Sequence, residues 1–497
     1  MSVLNLDTRP YSAKSDRNRG YYTRDPTFDA FFRDGNAALQ LRGGGDKGLE
    51  KLTLFLEVGA YRLPDTDHKV SLHDAEPEDY ARVAGLLTGP AVSQLKQLII
   101  ACQHHHFERH YIPPLAWLPC AATLRLLELH CCYLEPPSTG GLAFPRLTDL
   151  TLRDCTLLEG YLQVVVDAAP ALTSLALLHI SYKPLRPAER KRSMYVRNCF
   201  GLPLRLRCPT VTALVFRTYL NEEEIKTSTD VGIELNMPSL RSFHYQGHPV
   251  KLSLTSPVAG LARVHLDDTC REPYVVPVPR VLASFSSTRV LKMRFFSIEN
   301  IVADGVILPT FPNLELLELD GQCGYKNSKT AEAVVGLIRS CPAMSELRLR
   351  LEMQYDYHYE QKKNQVGGPF AESMDRFKRL ASMSAAHRSA MELREVSEIP
   401  AALTNNGAFH CLETSLRKIT LQFKAEEVNC FQVQLAKFLV ENAMVLEEMH
   451  IEDGSQFWPD HLCHKVPRWR AESFRRKNLP VTAAGFRVYQ LPNPVVD

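Results

Sequence analysis

A short phrase of apolar and polar positions recurs along this chain. Its clearest copy is FPNLELLELDG, Phe311 to Gly321, where Leu314, Leu317 and Leu319 fall in the spacing L-x-x-L-x-L and Pro312 stands two residues ahead. Residues two apart on a strand point to the same side, so Leu317 and Leu319 can enter one core together. The phrase returns as FPRLTDLTLRDC (Leu147, Leu150, Leu152), APALTSLALLHI (Leu172, Leu175, Leu177) and CPTVTALVF (Val211, Leu214, Phe216). MPSLRSFHY (Leu240, Phe243, Tyr245) and CPAMSELRL (Met344, Leu347, Leu349) repeat it again. Each copy keeps a proline two residues before its first apolar position: Pro145, Pro170, Pro209, Pro238, Pro312 and Pro342. Proline cannot continue a helix and pushes the preceding residue out of the helical region. It therefore marks where an outer arm stops and the next strand begins.

Weaker copies fill the gaps. The leading positions are 49, 95, 124, 147, 172, 211, 240, 261, 290, 314, 344, 416 and 446, and most steps are 21 to 30 residues. A period of about 20–29 residues with one short strand per turn is the pattern of the leucine-rich repeat. The predicted fold is α/β: a leucine-rich-repeat solenoid, or horseshoe, with short parallel strands on its concave face and irregular or helical arms outside. Cys132 and Cys155 stand where such repeats place a buried Asn or Cys, so packing accounts for them.

The arms vary. SLHDAEPEDYARVAGLLTG predicts a helix from about Pro77 to Leu87, with Tyr80, Val83 and Leu87 on one face and Gly89–Pro90 as a stop. SKTAEAVVGLIRSCP predicts another, capped by Thr330 and burying Val334, Val335 and Ile338. A third buries Phe431, Leu435, Phe438 and Leu439. Residues 1–48 read as an irregular lead-in with one short helix around Phe28, Phe31 and Phe32, and residues 49–351 as the solenoid. Residues 352–413 break the period and form a polar, partly disordered insert. Residues 414–475 are the last turn and cap, and 476–497 a tail.

Composition excludes more than it assigns. The 497 residues carry a formal net charge of +2, which gives no global electrostatic reason to expect nucleic acid or an acidic membrane. No apolar run reaches membrane-spanning length and the first residues lack a signal-peptide pattern, so the expectation is an intracellular protein, cytoplasmic or nuclear, with its 13 cysteines reduced. RGGGDKG lacks phosphate-loop spacing and reads as a turn. In CQHHHFERH, His106 and His110 have zinc-finger spacing near Cys102, but no C-x-x-C accompanies them and Cys131 and Cys132 are adjacent. That stretch reads as a solvated loop, and no metal or cofactor is expected. The basic segment from Lys183 to Arg197 reads as a solvated loop as well, ahead of a nuclear-import or nucleic-acid patch. G-x-S-x-G, H-E-x-x-H, Walker A and paired C-x-x-C motifs are all missing, so no enzyme is expected.

LRKITL (Leu416 to Leu421), KFLVENA (Lys437 to Ala443) and VLEEMHI (Val445 to Ile451), followed by HKVPRWR, resemble the FBD domain that ends many plant F-box/leucine-rich-repeat proteins. FPNLELLELDG and the proline-phased repeats resemble the middle of the same family, and the resemblance spans roughly residues 49 to 475. Met444 stands where that family often has proline. The resemblance implies an FBD-like C-terminal cap and the role of substrate receptor in a cullin-type (SCF) ubiquitin ligase. Residues 1–48 hold no leucine- and proline-rich F-box pattern, so the adaptor is an expected partner only if an F-box is present.

In L-x-x-L-x-L-x, positions two, four and six after the lead should face the concave side. These include Glu128, His130, Asp149, Thr151, Arg153, Arg217, His244, Asp267 and Asp320. The proposed partner-binding set is Arg263, His265, Lys292, Arg294, Phe296, Glu318, Glu346, Arg348 and Arg350, with Arg and aromatics of the kind that anchor interfaces. Each alone is also what any solvated strand position shows. A monomeric protein-binding module is the leading expectation. A non-ubiquitin scaffold, or a small-ligand or phosphate co-receptor with a basic concave pocket, is the alternative.

Overall fold

The structure is a computed structural model. It describes residues 2–8, 26–43, 48–58, 77–104, 112–137, 141–183, 204–218, 232–248, 250–256, 258, 260–268, 276–302, 306–323, 327–353, 409–423, 430–452, 462–480 and 485–491. His106, His110, all of the basic segment after Lys183 and nearly all of the 352–413 insert lie outside these residues. The chain divides into two compact units. The first is Met1–Phe243 with Leu252–Gly260, and the second is His244–Lys251 with Leu261–Asp497.

The strands are β1 (Val3–Asp7), β2 (Lys51–Val58), β3 (Gln97–His104), β4 (Leu126–His130), β5 (Tyr133–Leu134), β6 (Asp149–Arg153) and β7 (Thr156–Leu158). They continue as β8 (Ser174–Leu178), β9 (Ser181–Lys183), β10 (Leu204–Arg207), β11 (Ala213–Arg217), β12 (Gly232–Asn236), β13 (Ser242–Gln246) and β14 (Lys251–Leu254). The rest are β15 (Arg263–Asp268), β16 (Val290–Ser297), β17 (Leu316–Cys323), β18 (Glu346–Met353), β19 (Lys418–Phe423), β20 (Glu448–Glu452) and β21 (Arg487–Gln490).

In the first unit the main sheet runs β1-β2-β3-β4-β6-β8-β11, all parallel. The proline-phased copies pair in matching phase: Leu150 lies opposite Leu175, and Leu175 opposite Leu214. Their inward leucines are fully buried, and the residues between them are half-exposed. A one-residue slip would turn every leucine to water, so burial fixes the register. Hydroxyls reinforce it. Thr148, Thr173 and Thr212 each donate to a backbone carbonyl of the preceding turn, those of Arg125, Thr148 and Thr173, at 3.1–3.2 Å.

Three strands of this series, β4, β6 and β8, end in the same corner. Cys131, Asp154 and His179 follow β4, β6 and β8 and adopt positive φ of 52°, 51° and 55°. That left-handed step costs free energy for a non-glycine residue. It is held by the next turn: the amides of Cys131, Asp154 and His179 donate to the carbonyls of Arg153, Leu178 and Arg217. The corner redirects the chain into β5, β7 and β9, a second small parallel sheet. Cys132 and Cys155, one residue past the corner, are buried as the spacing predicts, and their thiols lie 3.3 Å from strand carbonyls. Burial raises both the Cys132 and Cys131 thiols, the latter to about 12, so neither is a ready nucleophile. A further sheet, β10-β12-β14, has no counterpart in the expected pattern.

The lead-in departs from its irregular reading. β1 pairs with β2 in register, Val3 opposite Lys51, because Leu4 and Leu6 alternate into the core. Two apolar residues without the preceding x-x-L are too short a signal to stand out. The helix Pro26–Gly43 follows, burying Phe31 and Phe32 edge to face at 5.2 Å. The helix Pro77–Thr88 starts at the predicted Pro77 and buries Val83, Leu86 and Leu87. Its Arg82 covers the Phe32 ring at 4.2 Å and pairs with Asp29 at 2.6 Å.

In the second unit the order is β15-β16-β17-β18-β19-β20-β21, again parallel. The helices Asn327–Ser340, His410–Thr414 and Cys430–Asn442 line its other layer. Val334, Val335 and Ile338 are buried as predicted. Thr330 is not the cap: the helix begins three residues earlier, and the buried Thr330 hydroxyl lies 3.5 Å from the Glu299 carboxylate.

The tail also departs from its reading. The helix Leu462–Arg476 is followed by β21, which pairs with β20. RVYQ holds only Val488 and Tyr489 as apolar positions, adjacent to each other and without the x-x-L lead, so periodicity could not mark it. Arg470 joins these pieces. Its guanidinium donates to the carbonyls of Ala443, Met444 and Leu446 at 2.8–3.2 Å and lies between the Phe474 and Phe486 rings at 4.7 and 4.6 Å. Among the described residues no helix is long and apolar enough to cross a membrane.

Candidate functional site

The predicted set lies in the second unit, on the side of β15–β18 opposite the leucine core. Parallel pairing sets it in rows. One row carries His265, Lys292, Glu318 and Arg348 in mutual register, and the next carries Asp267, Arg294, Asp320 and Arg350. The local reason is the repeat itself: these are positions four and six after the leads 261, 314 and 344. On β16 the register sets the phase at Thr288, two residues ahead of the expected lead 290, so Lys292 and Arg294 take the equivalent places.

The rows are cross-linked by charge. Glu318 receives Lys292 from one side at 2.9 Å and Arg348 from the other at 3.5 Å. Arg348 also reaches Glu346 on its own strand at 2.8 Å, and Lys418 of β19 approaches Glu346 at 3.8 Å. Asp320 stands between Arg294 at 3.8 Å and Arg350 at 4.0 Å. Strand β17 thus interposes two acids among four cations, so the cations do not form an uninterrupted basic stripe. All of these groups are partly exposed, and such pairs contribute little to stability, about 0–1 kcal/mol each.

Two members of the predicted set stand outside the rows, and His265, within them, makes a further contact. Arg263 is exposed at the start of β15, opposite Val290 and outside the two rows. Phe296 sits at a bulge, where the pairing of β16 with β17 skips from Phe295 to Ser297. His265 stacks on His244 of β13, ring centroids 4.2 Å apart and planes 12° from parallel. Burial lowers the His265 pKa, with Asp267 acting in the opposite sense.

The face extends past the predicted set. Gln422 of β19 donates to Glu452 of β20 at 2.9 Å, and His450 of β20 stacks on Tyr489 of β21 at 4.8 Å. The offset rule applied to leads 416 and 446 yields Lys418, Gln422, His450 and Glu452. For Tyr489 no repeat signal existed. In the first unit the same offsets place Glu128 beside His130 at 2.6 Å.

The arrangement suits recognition by many partly exposed polar groups on a rigid sheet. Residues 83–245 match the family model described as "FBD-associated F-box protein At5g56370, LRR repeats". The match ends ahead of the charged rows of β15–β18. No curated protein matches the chain. Over residues 83–245, about a third of the chain, the repeats are similar to the leucine-rich repeats of that F-box family.

Proposed function

We propose that this chain is a protein-binding module that recognises its partner on the open face of β15–β18. In this reading that face is the concave side of a horseshoe, and residues 414–475 form an FBD-like cap. What supports it most is the sharing of Glu318 between Lys292 and Arg348. Partly exposed cations held in line by acids offer a partner fixed donors at low ordering cost. The proposed role is substrate recognition for a cullin-type ubiquitin ligase, by a monomeric intracellular protein. The alternative of a phosphate-bearing small ligand fits less well, because Glu318 and Asp320 stand among the four cations.

The test is co-purification of the full-length chain, tagged at its C-terminus, from native plant extract. The wild type and the double variant Arg348→Glu, Arg350→Glu are compared, and each eluate is probed for the ligase adaptor. A partner held by the wild type and lost from the double variant supports the binding face. Adaptor at stoichiometric level supports the ubiquitin-ligase role; a partner without adaptor leaves a binding scaffold. A partner retained equally by the double variant refutes the face.

A further inference from the structure

We infer that His244, His265 and Asp267 form a binding site for a borderline divalent cation of the zinc class, at the β15 end of the charged rows and in addition to their part in protein recognition. The three side chains each offer one ligand atom, and these atoms all lie within 4.8 Å of one another. The three residues all belong to the second unit and come from the neighbouring strands β13 and β15, beside which the Gly247 amide donates to the Asp267 carbonyl at 2.9 Å. His244 and His265 stand four after the leads 240 and 261, so parallel stacking brings them side by side. Asp267 lies two residues beyond His265 and shares its face.

Asp267 is the second observation. Only 9% of it is exposed, yet its Oδ1 has no hydrogen-bond partner among the described residues. A buried carboxylate oxygen without a partner is costly. Arg294 is its register partner on β16, but that guanidinium is drawn to Asp320 on the far side. Lys292, opposite His265, is likewise drawn to Glu318. Both nearby cations therefore lean away from the three groups, and a cation between them would satisfy the carboxylate.

Two imidazoles and one carboxylate match the donor preferences of zinc and its neighbours, and leave at least one position for water or another ligand. An imidazole holds a metal in its own ring plane. Two rings stacked 12° from parallel, with centroids 4.2 Å apart, cannot share one ion in both ring planes, so binding must open the His244–His265 stack.

The test uses the full-length chain stripped with chelator, titrated with Zn2+ by calorimetry and with Co2+ by visible absorption. The wild type should take up Zn2+ in a component that weakens about tenfold or more in Asp267→Asn and in His265→Gln, since loss of an outer-shell partner alone costs that much. Co2+ at the same component should show d–d bands without a thiolate charge-transfer band, which separates this site from the cysteines. Circular dichroism of the metal-free variants confirms folding, and His244→Gln replaces any variant that fails. Absence of Zn2+ uptake by the wild type overturns the inference. So does uptake that the folded variants retain unchanged, or a Co2+ spectrum of thiolate type.

Discussion

Arg348 and Glu318 face each other across β17 and β18, 3.5 Å apart, while Lys292 holds the same carboxylate from β16. On the same strand, Leu319 points the other way and is fully buried. The two neighbours should therefore respond very differently. Glu318→Gln is expected to cost no more than about 1 kcal/mol of stability, because the pairs are partly exposed. Leu319→Ala should cost about 2–5 kcal/mol through lost burial and the cavity left behind. Denaturant midpoints of the two variants check this; comparable losses would mean the charged rows are structural.

Gly321 meets the bulge of β16. A methyl group there would lie 2.5 Å from the Phe295 carbonyl oxygen and 2.9 Å from Ile298 Cγ1. The oxygen is backbone and cannot step aside without moving the strand. Gly321→Ala should destabilise by about 1–3 kcal/mol. Gly141→Ala, with nothing within 4 Å of the added carbon, should stay within about 0.5 kcal/mol of wild type. Equal thermal midpoints for the two variants would contradict the close approach.

Arg470 provides donors to three carbonyls at the turn where Met444 stands. Burial lowers its pKa to about 10, so it remains charged at neutral pH. Arg470→Ala should cost about 1.5–3 kcal/mol, as for hydrogen bonds to a charged group. Arg470→Lys should recover little, since an ammonium cannot span the three acceptors or lie flat between the Phe474 and Phe486 rings. Urea unfolding of both variants tests this, and full rescue by lysine would show that charge alone matters.

Histidines set an acid limit. Burial lowers the pKa of His179, His248 and His265 in the folded chain. The unfolded value is about 6.5, so just below that pH the unfolded chain binds more protons. Stability from these groups is full above about pH 6.5 and falls as the pH drops through it. The thermal midpoint at pH 5.5 should lie below that at pH 7.5, and His248→Gln should narrow the gap. A midpoint that rises on acidification would exclude this linkage.

The legible and illegible parts of this fold differ in how their signal is written. Leu147, Leu172 and Leu314 repeat a phase, and a phase survives divergence; the strands they mark are all present. β1 and β21 carry too few apolar residues to declare a phase and form because a neighbouring edge is available to pair with. The charged rows were legible as positions but not as pairs. Which acid meets which base depends on register across turns, and Glu318 and Arg348 are 30 residues apart. His244, His265 and Asp267 escaped for the same reason. No local motif joins them, whereas CQHHHFERH drew attention by mere adjacency.

The amide of Arg417 donates to the carbonyl of Ser345 at 2.9 Å, although the repeats they begin are led by residues 344 and 416. Ser345 in turn bonds Glu315 across a step of ordinary length. The sheet therefore counts turns and disregards how much chain lies between them. A side chain on the open face has an address given by its turn and its offset, and lengthening an arm leaves every address unchanged. Substitutions can rewrite that face letter by letter while insertions accumulate elsewhere, so the two kinds of change proceed independently in one molecule.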